Sequence, residues 1–275
     1  MEQGGLRVIF AARLGVFSVL LALACAGERP TPSVSAAAAE DAPATESVDS
    51  EVRATSPRRE ADGVEEASPP PIELPIVETP LPWNEERSEL TRAYIREHLG
   101  EQDPGIDIDP KVIVLHWTGP GTLRSTWNTF ASSRLGGDRA ALNRASSLNV
   151  SAHFAVDRDG TIHRFLPETR FARHVIGLNH VAIGVENVGG GETQPLTAEQ
   201  VAANVALVRF LVAHHSITHL IGHHEYRRME GHPYFRELDP SYRTVKIDPG
   251  DDFMRGVREQ LVDLGLEGPA GDAPE

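Results

Sequence analysis

Cysteine is nearly absent from this 275-residue chain, which contains only Cys25. One thiol cannot form a disulfide within the chain, so a disulfide framework is excluded. The same scarcity excludes a metal site built from cysteines alone. Any metal ion would therefore have to be held by histidine and carboxylate side chains.

Basic residues are also scarce, with 26 Lys and Arg against 40 Asp and Glu, and the formal net charge is -14. Proteins that bind nucleic acid need positive charge to meet the phosphates. We therefore expect no nucleic-acid partner. Much of the negative charge falls between residues 26 and 80, so it says little about a catalytic surface.

Histidine is missing from the first third of the chain, and all twelve histidines lie between His98 and His232. Imidazole is the commonest side chain in metal binding and in proton transfer near neutral pH. This distribution indicates that the chemistry begins after the first third.

The N-terminal residues 1–24 have the features of a secretion signal. They start with positive charge and contain an apolar run at residues 15–24, which is too short to span a membrane as a helix. Cys25 follows Ala22 and Leu23 in an imperfect lipobox, so it is a candidate lipid anchor. Cleavage by an ordinary signal peptidase, with Cys25 incidental, is the alternative. Either way, we expect export to the periplasm or cell envelope.

Residues 25–82 are rich in Pro, Ala, Ser, Thr and Glu and poor in apolar residues. Such a segment cannot bury enough apolar surface to offset the entropy lost on ordering. We predict a disordered, extended linker without a specific function.

Residues 83–268 alternate apolar strand patterns with amphipathic helix patterns, so we predict one α/β domain with a central mixed β-sheet flanked by helices. The segment DRDG between two strands predicts a hairpin, and Thr197 with Gln200 predicts a helix capping box. A surface loop is expected at residues 132–147. The predicted helices are 84–99, 123–134, 197–215 and 253–264, and the predicted strands are 111–115, 149–156, 161–165, 181–188 and 218–221.

Three residues at turns are the candidate metal ligands. His116 ends the strand KVIVL, His223 follows another strand, and Asp248 precedes Pro249-Gly250. Two neutral imidazoles and one carboxylate would bind a single Zn²⁺ and leave its fourth position open. Each residue alone is more often structural, and their spacing forms no local motif.

Five motifs in order resemble one family. VLHWT, SAHFAVDRDGTIHRF, ARHVIGLNHVAIGVEN, IGHHEY and KIDPG are similar to the zinc-dependent N-acetylmuramoyl-L-alanine amidases, the amidase-2 group that shares its fold with peptidoglycan recognition proteins. The similarity runs from about residue 112 to 253. It implies a mixed sheet flanked by helices, zinc in a surface groove, and cleavage of the amide between N-acetylmuramic acid and L-alanine of peptidoglycan or muropeptides.

The resemblance also assigns roles. It implies that His116, His223 and Asp248 bind the zinc. Glu186 matches the catalytic general base, and Lys246 matches a lysine that stabilises the oxyanion. Some relatives use a tyrosine before the hairpin histidine instead, but this chain has Ala152 there, which favours Glu186 as the base.

Further residues are candidates for contact with the substrate. The family often has a histidine facing the substrate where this chain has His174, and His153 in the hairpin motif is a second candidate for lining the groove. Trp117, beside the first ligand, is expected to pack and to offer an indole for sugar contact. His224 competes with His223 for the ligand role, and the Gly-His motif selects His223.

Two other functions remain open from the sequence. The fold could recognise peptidoglycan fragments without cleaving them, or the metal site could hydrolyse a different amide. We expect a monomer, acting in cell-wall turnover or remodelling.

Overall fold

A computed structural model describes residues 74–137 and 139–270. They lie within the second of the two units into which the chain divides, Glu65–Glu275. The predicted signal at 1–24, Cys25 and most of the predicted linker lie outside the described residues. Within the described ranges, no helix combines the length and the apolar character needed to cross a membrane.

The described residues are organised around a six-stranded sheet with the order β1-β4-β3-β5-β2-β6. Only β3 and β4 are antiparallel, and all the other neighbours are parallel, so the predicted mixed sheet is confirmed. The strands are β1 (Ile76–Glu78), β2 (Val112–Trp117), β3 (Phe154–Val156), β4 (Ile162–Arg164), β5 (Ala182–Asn187) and β6 (His219–Gly222).

Helices cover both faces of this sheet. They are α1 (Glu85–Leu99), α2 (Leu123–Ala131), α3 (Ala140–Ala145), α4 (Ala198–His214) and α5 (Asp251–Arg258), with two 3₁₀ turns at His223–Met229 and Val262–Leu264. The predicted cap of α4 is confirmed, because Thr197 and Gln200 each bond the other's backbone amide. A cap of this kind typically stabilises a helix by about 1 kcal/mol.

Strand β2 shows why the sheet needs two helical layers. Its residues 112–115 are 0% exposed, and alternate side chains enter different cores. Val112 and Val114 pack in the core that contains Tyr94 of α1. Ile113 and Leu115 pack in the core that contains residues of α4 and α5. A strand covered on both faces has the continuous β-branched pattern seen in KVIVL.

The predicted linker boundary at residue 82 is wrong, because β1 already belongs to the folded region. Residues 76–78 pair in parallel with β4, and the Thr79 amide continues the ladder by donating to the Arg164 carbonyl at 3.0 Å. Leu81 is buried in the core beneath α2. A short strand between prolines depends on a distant partner, so local composition does not reveal it.

The predicted loop at residues 132–147 contains the short helix α3, and α2 ends earlier than predicted, at Ala131. Arg173 holds the α3 region through backbone carbonyls, including that of Leu142 at 2.8 Å. The last predicted helix is divided, with α5 ending at Arg258 and a separate 3₁₀ turn following. Buried tertiary contacts, rather than helical periodicity, determine these boundaries.

Candidate active site

Strand ends bring the candidate residues to one edge of the sheet. His116 near the end of β2 pairs in register with Glu186 on the neighbouring strand β5. His223 follows β6, which ends at Gly222 and flanks β2 on its other side. Because these strands are parallel, their carboxyl ends meet at the edge where α/β sheets place their ligands.

Asp248 reaches the same point from the segment before α5. Its backbone carbonyl accepts a hydrogen bond from the His224 amide at 2.8 Å and lies 3.1 Å from Nδ1 of the His224 ring. Nε2 of His224 lies 2.9 Å from the Asp251 carboxylate. His224 therefore fastens the backbone around Asp248, whereas His223 contacts the Asp248 side chain.

Three donor atoms form a small triangle. Nδ1 of His116 lies 2.9 Å from Nδ1 of His223, and Oδ2 of Asp248 lies 3.0 Å from His223 Nδ1 and 3.3 Å from His116 Nδ1. Ligands of a tetrahedral zinc at about 2.0–2.1 Å are separated from one another by about 3.3 Å. The triangle therefore has the dimensions of three zinc ligands.

A chain of hydrogen bonds fixes which nitrogen of His116 is free. His174 Nε2 lies 3.1 Å from the Ala182 carbonyl, which can only accept, so His174 donates from Nε2. Its Nδ1 then accepts from Nε2 of His116 at 3.0 Å. His116 must carry its proton on Nε2, which leaves the Nδ1 lone pair for the triangle. Outer partners of this kind orient metal-binding histidines in proteins.

Gly184 on β5 makes room for this chain of hydrogen bonds. A Cβ added at Gly184 would lie 2.7 Å from Cγ of His174, closer than side chains tolerate. The His174 ring therefore rests directly on the strand. Gly184, the glycine in the motif AIGVEN, is therefore needed for packing of the His174 ring, which is hydrogen-bonded to His116.

The surroundings favour the protonation states that a divalent cation needs. Burial, reinforced by His116, lowers the pKa of His223 to about 3, so its imidazole is neutral at pH 7. Burial alone would raise the pKa of Asp248, but the neighbouring imidazoles of His116 and His223 outweigh it and hold that pKa well below its usual range. Neutral imidazole and ionised carboxylate are the forms that bind zinc.

Glu186 lies beside the triangle in an environment suited to proton transfer. Burial raises the pKa of Glu186 to about 7, and the Asp248 carboxylate adds to the rise. Its Oε2 atom is buried and has no hydrogen-bond partner among the described residues. A carboxylate with a pKa near the working pH and a free oxygen is suited to accept a proton from water.

Lys246 lies two residues before Asp248 in an extended segment and lines a pocket together with His174 and His223. The segment is fixed because Tyr226 Oη donates to the Thr244 carbonyl at 2.7 Å and accepts from the Thr244 amide at 2.8 Å. The charge of Lys246 acts on both Glu186 and His223. A partly buried cation here can stabilise negative charge that develops on a substrate oxygen.

The prediction that His153 lines the groove is wrong. Its side chain is 0% exposed, and both ring nitrogens are bonded to backbone: Nε2 donates to the Arg170 carbonyl at 2.7 Å, and Nδ1 accepts from the Gly184 amide at 3.0 Å. Burial lowers the pKa of His153 to about 4, so the ring stays neutral. His153 joins β3 to β5 and has no surface for a substrate.

Trp117 is partly exposed and packs on the backbone of Gly190, where a Cβ would lie 2.3 Å from the indole. It also lines a cleft of about 570 Å³ with Pro249, Gly250 and Phe253, next to Asp248. Both expected roles of Trp117, packing and an accessible indole, are therefore compatible with its position.

Two basic residues near the site were not predicted from the sequence. Arg173 and Arg139 line the same pocket as Lys246, His174 and His223. Arg173 immediately precedes His174 in the ARH motif, and that adjacency could have identified it. Arg139 lies just before α3 in a segment predicted as a plain surface loop, so the sequence offered no signal for it.

Substitutions at His174 distinguish a role in zinc binding from a role in substrate contact. Loss of the hydrogen bond to His116 in His174→Ala is expected to weaken zinc binding about 10- to 100-fold. His174→Asn, whose side-chain carbonyl can accept from His116, is expected to restore part of the affinity. Competition with a chromophoric chelator measures the zinc Kd. An unchanged zinc Kd with a raised substrate KM would instead support the substrate contact predicted from the sequence.

Several solved structures are similar to this chain. The N-acetylmuramoyl-L-alanine amidase LysC from Clostridium intestinale URNW is 22% identical, with a TM-score of 0.45, covering 71% of this chain and 100% of that one. A selenomethionine AmpD derivative is 20% identical, with a TM-score of 0.42 and coverage of 67% and 93%. Bumblebee PGRP-SA is 15% identical, with a TM-score of 0.40 and coverage of 73% and 99%.

No curated protein matches the chain. A family model described as N-acetylmuramoyl-L-alanine amidase, Amidase_2, matches residues 107–251, which is more than half of the sequence. That range includes the three donor residues together with Glu186 and Lys246. The chain therefore belongs to the Amidase_2 family of N-acetylmuramoyl-L-alanine amidases.

Proposed function

We propose that this protein uses one zinc ion to hydrolyse the amide between N-acetylmuramic acid and L-alanine in peptidoglycan or its soluble fragments. The observation that carries the proposal is the triangle of His116 Nδ1, His223 Nδ1 and Asp248 Oδ2, with Glu186 beside it. Its edges, its protonation states and the tautomer of His116 all fit a zinc ion. Membership of the Amidase_2 family supports the choice of bond.

His116, His223 and Asp248 would hold the ion. When bound, zinc would polarise the amide carbonyl and lower the pKa of a water molecule, which supplies a nucleophile at neutral pH. Two neutral imidazoles and one carboxylate leave the site with a net positive charge once a divalent cation is present. That charge favours the negative oxygen that develops when water attacks the carbonyl carbon.

The chain's own residues complete the reaction. Glu186 accepts a proton from the attacking water through its Oε2 atom, which has no hydrogen-bond partner within residues 74–137 and 139–270. It then donates that proton to the nitrogen of L-alanine as the carbon–nitrogen bond breaks, and so returns to the carboxylate form. The ammonium of Lys246 stabilises the oxyanion during this step. The products are a muramic acid carboxylate and a peptide with a free amino terminus.

We also propose where the protein acts. The features of residues 1–24 support export to the periplasm or envelope, where the protein would act in wall turnover or remodelling as a monomer. Cys25 at the cleavage position supports a lipid anchor, and the acidic, Pro-rich segment after it would give the enzyme reach towards the wall.

The anchor is tested in the full-length protein expressed with labelled palmitate. Lipidation predicts label in the wild type and none in Cys25→Ser, with the variant moving from the membrane fraction to the aqueous fraction. Equal behaviour of the two proteins would show that Cys25 is incidental and that an ordinary signal peptidase acts.

The activity is tested by digesting purified peptidoglycan and soluble muropeptides and identifying the products by mass spectrometry. Peptides beginning at L-alanine are expected with the zinc-loaded protein and not with the zinc-stripped protein. If the protein held one zinc ion per chain and bound muropeptides without cleaving them, the proposed enzymatic activity would be refuted. The protein would then be a peptidoglycan-recognition module. If the protein cleaved only other amides, the proposed substrate would be wrong.

A further inference from the structure

Three amide side chains are fully buried between α4 and the strand ends that carry the site. Gln200 and Asn204 lie on α4, Asn187 is the last residue of β5, and all three are 0% exposed. Other side chains of the same layer, such as Val185 and Leu207, are apolar. A buried amide destabilises a fold unless its hydrogen bonds are made, so a group of amides in an apolar layer requires a physical reason.

The orientation of the Asn187 amide follows from its partners. The carbonyl of His116 can only accept a hydrogen bond, so the atom that lies 3.0 Å from it is Nδ2 of Asn187. Oδ1 of Asn187 therefore faces α4, where it accepts from Nδ2 of Asn204 at 2.7 Å. The same Nδ2 of Asn204 donates to the Gln200 carbonyl, one turn earlier in the helix, at 2.7 Å. These bonds connect α4 to the backbone of His116.

Gln200 attaches the same part of α4 to two more strands. Its Nε2 donates to the carbonyl of Val156 at the end of β3, at 3.1 Å, and to the carbonyl of Val188 just after β5, at 2.9 Å. Its Oε1 accepts from the amide of Thr197, the capping residue of the helix, at 3.0 Å. The first turns of α4 therefore hold the carboxyl ends of β3, β5 and, through Asn187, β2.

Two of these strand ends carry groups of the proposed reaction. Side chains alternate along a strand, so Glu186 faces the donor triangle while Asn187 faces α4. Glu186 also pairs in register with His116. A backbone shift at this point would move both groups relative to His223 and Asp248, which come from other segments. Misplacement of reacting groups by about 1 Å can lower a rate by about 10²-fold.

Stability alone does not account for the amide pair. Oδ1 of Asn204 is buried and has no hydrogen-bond partner in the described part of the chain. An unpaired buried acceptor is destabilising, whereas two apolar side chains in place of Asn187 and Asn204 would leave no such atom. The pair therefore indicates a requirement at the site rather than in the core.

We propose that Asn187 is a positioning residue, which fixes the backbone of His116 through its hydrogen bond and so holds His116 Nδ1 in the zinc-binding triangle beside Glu186. Asn204 acts through Asn187 by fixing the direction of its amide. The inference rests on the proposed function, because it takes the triangle to bind zinc and Glu186 to be the base.

The test separates positioning from stability with two variants of the full chain. Asn187→Leu removes the bond to His116 and leaves Asn204 without one of its acceptors. Combining it with Asn204→Leu removes both amides, so the double variant is expected to regain thermal stability relative to the single one. Both variants are nevertheless expected to bind zinc about 10-fold more weakly than the wild type. Both are also expected to lower kcat about 10-fold and to leave KM nearly unchanged.

Two of the measurements do not involve turnover. Competition with a chromophoric chelator gives the zinc Kd, and the visible absorption bands of the cobalt-substituted protein report the arrangement of the ligands around the metal. The bands are expected to change in both leucine variants. Asn187→Ala, which avoids the larger leucine side chain, is expected to show the same changes in zinc Kd and in the cobalt bands.

Asn149→Ala is the matched control, because Asn149 is a buried amide that donates to the carbonyls of Thr129 and Ser132 near the end of α2. It is expected to lower thermal stability and to keep the wild-type zinc Kd and cobalt bands. If the double leucine variant regained the wild-type zinc Kd and kcat together with its stability, the amides would be structural only and the proposal would be overturned. Weakened zinc binding and altered cobalt bands in a protein that cleaves no muropeptide would refute the proposed function and retain the role of Asn187.

Discussion

Replacing Glu186 with glutamine is expected to lower kcat about 10²- to 10⁴-fold while the protein still binds one zinc ion and its substrate. Glutamine keeps the size of the side chain but cannot accept a proton from water. We assign this role to Glu186 because its buried Oε2 atom has no hydrogen-bond partner in the part of the chain that the structure describes. Turnover of a soluble muropeptide, followed by chromatography, measures kcat and KM separately.

The dependence of activity on pH is also expected to reflect Glu186. The base works only when ionised, so activity is expected above the pKa of Glu186 and lost as the pH falls through it. Burial raises that pKa to about 7, and a bound cation would move it downwards. The residual activity of Glu186→Gln should not show this loss of activity at low pH.

A matched carboxylate serves as the control for these measurements. Glu199 is exposed on α4, and Glu199→Gln is expected to behave like the wild type. If Glu186→Gln retained a wild-type kcat, another group would have to be the base.

Removing one of the proposed zinc ligands has the largest expected effect. His116→Ala is expected to lose stoichiometric zinc and to reduce kcat/KM by at least about 10³-fold, since metal catalysis contributes several kcal/mol to the barrier. The alanine removes one corner of the triangle and also breaks the hydrogen bond to His174. Metal analysis after gel filtration, together with the muropeptide assay, measures both losses.

His214 provides a histidine control, because it is exposed at the end of α4 and bonds only to the carbonyl of Phe210 among the described residues. His214→Ala is expected to keep one zinc ion and full activity. A His116→Ala protein that binds zinc as tightly as the wild type would show that the metal lies elsewhere.

The sequence predicted the features that depend on local pattern. The buried run KVIVL predicted β2, the DRDG turn predicted the hairpin, and the pair Thr197 and Gln200 predicted the start of α4. Histidines directly after strands predicted where the donor atoms converge, because the ends of parallel strands meet at one edge. The family motifs then identified which of many histidines to consider.

Features that depend on distant partners were not predictable in this way. β1 exists because β4 offers a free edge, and no pattern in residues 76–78 shows that. His153 has the same motif context as a substrate-facing residue, but its role follows from backbone groups of Arg170 and Gly184 on other segments. Arg139 reaches the pocket only because the following residues form α3.

Adding zinc stepwise to chelator-stripped protein, with bound metal and muropeptide cleavage measured in the same samples, tests the central claim most directly. If His116, His223 and Asp248 hold the catalytic ion, cleavage starts from background, rises in proportion to bound zinc and reaches its plateau at one equivalent. Peptides beginning at L-alanine should be the product at every point. Full cleavage by the stripped protein, or one bound zinc without any cleavage, would contradict the claim.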